Sequence, residues 1–178
     1  WQYWVIAGLA IAASLFHLYT GAFGLFFAMK QRSIHWMLMG SIIFLLYPIS
    51  KKRPNDKIDP WDWVTTAIFA WCCLYILINW TEIANRAGFA TQTDIVLGTI
   101  MIILTIEATR RTVGWPLPIV AIVALVYALF GPHLPGILRH PAFPLSELAP
   151  YEYLRTDGIF GVPLGVSASF IFLFVLFG

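Results

Sequence analysis

Residues 63–81 read WVTTAIFAWCCLYILINWT, and this stretch decides the fold. It contains no Asp, Glu, Lys or Arg. About 20 predominantly apolar residues in a helix cross the hydrocarbon core of a bilayer. Because lipid offers the backbone no hydrogen-bond partners, such a segment crosses as an α-helix. The stretch therefore predicts a spanning helix, in which Cys72 and Cys73 are small apolar side chains rather than a disulfide or a metal site.

The composition of the whole chain agrees with this local prediction. Of the 178 residues, 60% are hydrophobic and 11% are charged, whereas about 25% are charged in an ordinary soluble domain. The mean hydropathy is +0.78 and the net charge is +2. These values exclude a soluble globular domain and a disordered region. The small net charge also argues against a nucleic-acid-binding face.

Five other stretches are similarly poor in charged residues, so we expect an all-α, polytopic transmembrane protein with about six spanning helices. The fourth stretch includes Glu107, because it is too short to span without it. The five stretches are residues 1–29, 33–50, 95–111, 115–131 and 159–178.

Polar residues mark two helix starts. Asp59 is placed to cap a helix, Pro60 suits its first turn, and Asp62 lies at the positive end of its dipole. Thr91 and Asp94 offer a second capped start at the beginning of the fourth span. We therefore expect helices to begin close to residues 60 and 92.

The C-terminal third combines a proline-rich connection with a stripe of small residues. Residues 131–157 contain five prolines, which predicts an ordered segment on the membrane face with a short interfacial helix at 145–154. Gly161, Gly165 and Ser169 follow at every fourth position. Small residues at this spacing allow a second helix to approach closely.

The distribution of basic residues predicts the orientation. Four Lys or Arg residues lie within 51–57, and such clusters favour the cytoplasmic side. We therefore expect the N-terminus in the cytoplasm and residues 131–157 outside. Glu82, Arg86 and Asp94 then lie at the outer rim, where we expect them to be solvated.

Glu107, Arg110 and Arg111 form the clearest cluster of charges. On a helix Glu107 lies one turn from both arginines, so ion pairs form easily. One interpretation is a gating or coupling pair. The alternative, which we favour, is a structural ion pair that anchors the end of the helix at the membrane boundary.

His17 is the candidate polar residue at mid-membrane, with Asn79 towards the end of its span. His17 could relay protons or bind cargo, but a neutral histidine bonded to a neighbouring helix is the favoured interpretation. The polar side chains of His17 and Asn79 are too few to replace the hydration shell of a cation. His133 and His140 have no third ligand at useful spacing, so we expect no catalytic, cofactor or metal site.

Five short motifs, in this order, resemble the N-terminal part of the fused permease of TRAP transporters of the type served by TAXI binding proteins. The resemblance covers nearly the whole chain. The motifs are FHLYT (16–20), QRSIH (31–35), EATRRTVGW (107–115), FGPHLPG (130–136) and GIFGVPLGVS (158–167).

The resemblance implies a division of the chain. Residues 1–112 would form a four-helix scaffold like the small TRAP subunit, and 113–131 a connecting transmembrane helix. Residues 132–157 would be periplasmic, and 158–178 would begin the large transport subunit. Both ends of the chain are apolar, and Trp1 follows no basic region, so we expect neither a signal peptide nor a complete protein.

The resemblance also implies the activity and its partners. Such transporters are secondary, are driven by sodium, and import organic acids that a periplasmic TAXI-type binding protein delivers. The chain would lie in the bacterial inner membrane and contact lipid and the rest of the permease. Na⁺ would bind the complete transporter, at sites downstream of residue 178.

The sequence is also compatible with two other classes of membrane protein. One is a structural or assembly subunit of a different membrane complex. The other is a membrane-embedded enzyme, which would need convergent polar groups within the spans. Further spans with discontinuous, glycine-rich hairpins would favour the transporter.

Overall fold

The computed structural model describes residues 2–49, 58–86 and 89–178. Within these ranges the chain is helical and contains no β-strand, which confirms the all-α class. The helices are α1 (Gln2–Phe23), α2 (Ala28–Leu46), α3 (Pro60–Asn85), α4 (Gln92–Val113), α5 (Pro116–Phe130), α6 (Leu145–Leu154), α7 (Val162–Val166) and α8 (Phe172–Phe177). A π-helical turn (Ser167–Ile171) joins α7 to α8, and we call the continuous segment Val162–Phe177 the final helix.

Four of these helices are long and apolar enough to cross a membrane: α1, α3, α4 and the extended fifth helix Pro116–His133. The length and composition of these helices, among the described residues, fit a membrane-spanning protein, but the expected count of about six spans is not confirmed. Helix α2 carries Lys30 and Arg32 near its start, and the final helix is shorter than the other four.

The first span was predicted over residues 1–29, and this boundary is wrong. Helix α1 ends at Phe23, and Gly24 adopts a left-handed φ of 106° while its amide donates to the Thr20 carbonyl oxygen over 3.1 Å. Glycine adopts this conformation without steric cost. Lys30 and Arg32 therefore lie within α2 rather than in a loop between two spans.

Contacts between helix ends place α3 antiparallel to α2 and to α4, so we name two opposite faces of these helices. At the Arg111 face, where α2 and α4 end and α3 begins, Arg111 contacts Asp62 and the Tyr47 carbonyl. At the Asp94 face, where α3 ends and α4 begins, Arg86 contacts Asp94. The basic segment 51–57, on which the predicted orientation depends, lies outside the described residues.

Helices α2, α3 and α4 share one apolar core, which helix α6 extends. Phe44, Phe69 and Met101 are fully buried in it. Helix α6 coincides with the predicted interfacial helix, and its Tyr153 donates a hydrogen bond to the Cys72 carbonyl over 2.5 Å. Cys72 and Cys73 are both buried free thiols. The buried Tyr153 side chain and its hydrogen bond hold α6 against α3 and α4.

Gly98 explains why α6 approaches α4 so closely. A Cβ atom at this position would lie 2.6 Å from the carbonyl oxygen of Ala149. Only hydrogen at this position leaves room for the α6 backbone.

Both predicted helix starts are found, but only one is capped as expected. Pro60 occupies the first turn of α3, whereas the Asp59 side chain makes no capping bond. At α4, Thr91 and Asp94 form a reciprocal capping box: the Thr91 amide donates to Asp94 over 2.8 Å, and the Asp94 amide donates to Thr91 Oγ1 over 3.3 Å. This second start is confirmed.

Candidate functional site

His17 belongs to a group of polar side chains that we call the histidine cluster: the buried His17, Thr20, Gln31 and His35, and the partly buried Ser167. His17 Nε2 lies 2.9 Å from His35 Nδ1, and His35 Nε2 lies 3.1 Å from Ser167 Oγ. The other His17 nitrogen, Nδ1, lies 2.7 Å from the Ala13 carbonyl oxygen. One line of hydrogen bonds therefore connects α1, α2 and the final helix.

The partners determine the hydrogen positions along this line. A carbonyl oxygen only accepts, so His17 Nδ1 carries hydrogen and donates to Ala13. In the neutral ring His17 Nε2 is then an acceptor, and His35 Nδ1 donates to it. His35 Nε2 in turn accepts from the Ser167 hydroxyl. Two neutral imidazoles thus satisfy all four ring nitrogens, and three helices are joined without a buried charge.

Gln31 makes a second set of bonds between the same helices. Its Nε2 donates to Thr20 Oγ1 over 3.3 Å and to the Ala168 carbonyl over 3.1 Å. Ala168 lies in the π-helical turn of the final helix, and such turns occur frequently at functional sites. The Phe172 ring stacks on His17 with its centroid 4.0 Å away. The cluster is therefore enclosed by apolar and aromatic groups.

Arg32 fixes the start of the final helix. Its Nη1 donates to the Phe160 carbonyl over 2.5 Å, and its guanidinium nitrogens would lie 2.7 Å from a Cβ atom at Gly165. Gly165 therefore makes room for a side chain of α2, whereas the small-residue stripe predicts the close approach of a second helix. Ser169, one turn further, donates to the Gly165 carbonyl over 2.8 Å.

The sequence-based inventory of polar groups named His17 and left out His35 and Gln31, which the structure places beside it. Both are almost fully buried, and both contact α1 or the final helix. Their separation of four residues places them on one face of α2. That spacing was the available signal, whereas their pairing with His17 depends on tertiary packing.

Glu107 contacts both arginines of its cluster. Its carboxylate lies 2.7 Å from Arg110 Nε and 2.8 Å from Arg111 Nε. Arg111 also pairs with Asp62, Nη1 to Oδ1, over 2.6 Å, and donates to the Tyr47 carbonyl over 3.0 Å. The Arg111 and Asp62 side chains are 1% and 0% exposed. The arrangement connects the ends of α2 and α4 to the start of α3, and sequence analysis did not foresee Asp62 as a partner.

Asp94 is buried rather than solvated, so the expectation for this residue is wrong. Its carboxylate accepts from the Tyr75 hydroxyl over 2.7 Å and from the Thr91 hydroxyl over 2.9 Å. Arg86 Nη1 lies 3.3 Å from the same group. Asp94 therefore connects α3 to α4 at the face opposite Arg111, while Glu82 is largely exposed, as expected.

Comparison with known proteins found no match among family models, curated proteins or solved structures. Among the described residues, no three His, Cys, Asp or Glu side chains come close enough together to hold a metal ion.

Proposed function

We propose that this chain is the membrane scaffold part of a sodium-driven secondary transporter of the TRAP type, which imports organic acids delivered by a periplasmic binding protein. The five sequence motifs support the family. The observation that carries the scaffold role is the pair of buried charge networks, around Arg111 and around Asp94, at opposite ends of α2–α4.

Buried ion pairs of this kind oppose relative motion of the helices they join. Sliding α4 along α3 would separate Arg111 from Asp62 at one face and Asp94 from Tyr75 at the other. Breaking one buried pair costs about 3–5 kcal/mol. Helices held at both ends suit a static scaffold beside a moving transport domain.

In this proposal α5 is the connector and the final helix begins the transport subunit. The histidine cluster is then the contact between the scaffold and the transport part, since it joins α1 and α2 to the final helix. Its neutral hydrogen bonds provide directional contacts without the cost of a buried charge.

The proposed location is the bacterial inner membrane, with the N-terminus in the cytoplasm. A single cysteine at Ala142, which is exposed, tests the orientation with an impermeant thiol reagent on intact spheroplasts. We expect labelling from outside, with little background because Cys72 and Cys73 are buried. Labelling only after membrane disruption would contradict the orientation.

The scaffold role also predicts what residues 1–178 do not bind. Reconstituted alone in liposomes, they should insert yet show no saturable binding of sodium or of a four-carbon dicarboxylate by calorimetry. The reason is that ring nitrogens, amide and hydroxyls in the histidine cluster are already used by one another. Saturable binding of either solute would place a transport site in this chain and contradict the assignment.

An assembly subunit of another membrane complex is the second candidate. Helix α5 favours it, because Pro118 is its only buried residue within the described part of the chain. The exposed apolar side chains of α5 are available to contact lipid or a protein partner. Purification from the native membrane distinguishes the two candidates, since an assembly subunit would copurify with proteins that have no transport activity.

A further inference from the structure

A groove of about 1130 Å³ opens at the Asp94 face. Its walls are the end of α3, the start of α4 and one side of α6, with Ala128 of α5 at its margin. Trp80, Phe89 and Phe143 line it, and Phe89 is 84% exposed. Sites for drug-sized ligands usually measure about 300–1,000 Å³, so this groove is large enough for a ligand of at least that size.

Two arginines in the groove have unused hydrogen-bonding capacity. Arg86 pairs with Asp94 through Nη1, but its buried Nε donates to no acceptor among the described residues. Arg155 stacks on the Tyr151 ring at 5.1 Å and forms no ion pair within the described ranges. Guanidinium groups with free N–H donors bind phosphate oxygens well.

Glu152 lines the same groove, and its carboxylate has no ion-pair partner among the described residues. It is partly buried, and burial raises the pKa of its carboxyl above the ordinary value, with no cation among the described residues to oppose the shift. An unpaired carboxylate in such a position is costly. A cation with N–H donors would remove that cost.

We propose that the groove binds an aminophospholipid, with its ammonium group on Glu152, its phosphate against Arg86 and Arg155, and its acyl chains beside the exposed aromatic rings. Two arginines (Arg86, Arg155) and three carboxylates (Asp94, Glu147, Glu152) line the groove, so their charges favour a head group that carries both signs. The location of the groove favours a lipid over a soluble ligand, because the groove lies where the membrane helices α3 and α5 end. Aromatic rings at the ends of such helices lie at the depth of the lipid head groups. The proposal does not depend on the transport function.

The head-group chemistry makes the proposal specific. A primary ammonium donates hydrogen bonds to a carboxylate, whereas the trimethylammonium of phosphatidylcholine has no N–H group. Phosphatidylglycerol lacks the cation altogether. Phosphatidylethanolamine should therefore bind about tenfold or more tightly than either, a difference of about 1.4 kcal/mol.

Native mass spectrometry of the detergent-solubilised chain tests this, with dioleoyl phosphatidylethanolamine, phosphatidylcholine and phosphatidylglycerol added separately. Glu152→Gln should abolish the preference for ethanolamine over choline. The matched control is Asp157→Asn, since Asp157 is exposed and does not line the groove. Equal affinity for the three lipids, or an unchanged preference in Glu152→Gln, would overturn the proposal.

A second pair of variants tests the proposed contact with the lipid phosphate. Arg155→Gln should weaken binding of all three lipids by about tenfold, while Arg139→Gln, at an exposed position outside the groove, should leave it unchanged. Free phosphoethanolamine distinguishes a lipid from a soluble solute. If it binds as tightly as the intact lipid, the groove is a site for a small zwitterion and the lipid assignment is wrong.

Discussion

Asp62→Asn is the most informative perturbation of the Arg111 network. The variant keeps the shape of the side chain but removes the charge that lies 2.6 Å from a guanidinium with 1% exposure. Removing one partner of a buried pair costs about 3–5 kcal/mol. Because Glu107 still lies 2.8 Å from Arg111 Nε, part of the charge stays compensated. We therefore expect a loss near the lower limit, about 3 kcal/mol.

Reversible unfolding in mixed detergent and dodecyl sulfate micelles measures this loss as a change in the free energy of unfolding. Glu82→Gln is the matched control, since that side chain is 70% exposed and lies 4.0 Å from Arg86. Exposed pairs contribute about 0–1 kcal/mol. If Asp62→Asn is no more destabilising than Glu82→Gln, the Arg111 network does not hold the helices together and the reasoning is refuted.

Four further outcomes follow from the structure. Glu107→Gln should destabilise the protein by about 1–3 kcal/mol, because a buried donor of Arg111 loses a charged acceptor, and normal stability with lost transport would show a functional role instead. Gly98→Ala should cost about 1–3 kcal/mol in the same unfolding assay, since the new Cβ meets the Ala149 carbonyl; an unchanged stability would mean that α6 does not pack as described. His35→Ala should lower the melting temperature by leaving the His17 ring nitrogen without its donor, and an unaltered melting curve would contradict the histidine cluster. Burial raises the pKa of Glu152 in the folded state, so ionisation of this carboxyl destabilises the fold. The destabilisation is absent below the pKa of the unfolded state and complete above the pKa of the folded state. Glu152→Gln should therefore raise the melting temperature of lipid-free protein at about pH 8 but not at about pH 3. An equal effect at both values would rule out ionisation as the cause.

The helical class and several boundaries were predictable from the sequence because charges and prolines punctuate it. Pro60 and the Thr91 capping box give the starts of α3 and α4. The turn between α1 and α2 was missed because residues 1–29 contain no charge at which to end a span. There a single glycine in the left-handed conformation ends the helix, and glycine is too common in membrane helices to mark a turn by itself.

The candidate site was predictable only where its partners are close in sequence. Glu107 and Arg111 lie one helical turn apart, so their contact follows from helix geometry. Asp62 and Arg111 are separated by 49 positions, and His35 and Ser167 by 132. Such pairs depend on which helices pack together and in what register, and a single sequence does not specify these.

Sodium-driven uptake by the complete transporter tests the central proposal most directly. Proteoliposomes would receive the transporter, its cognate binding protein and radiolabelled organic acids, with an inward sodium gradient or a matched potassium gradient. The proposal predicts accumulation only when both the sodium gradient and the binding protein are present. Accumulation that persists without sodium, or that needs no binding protein, would contradict it.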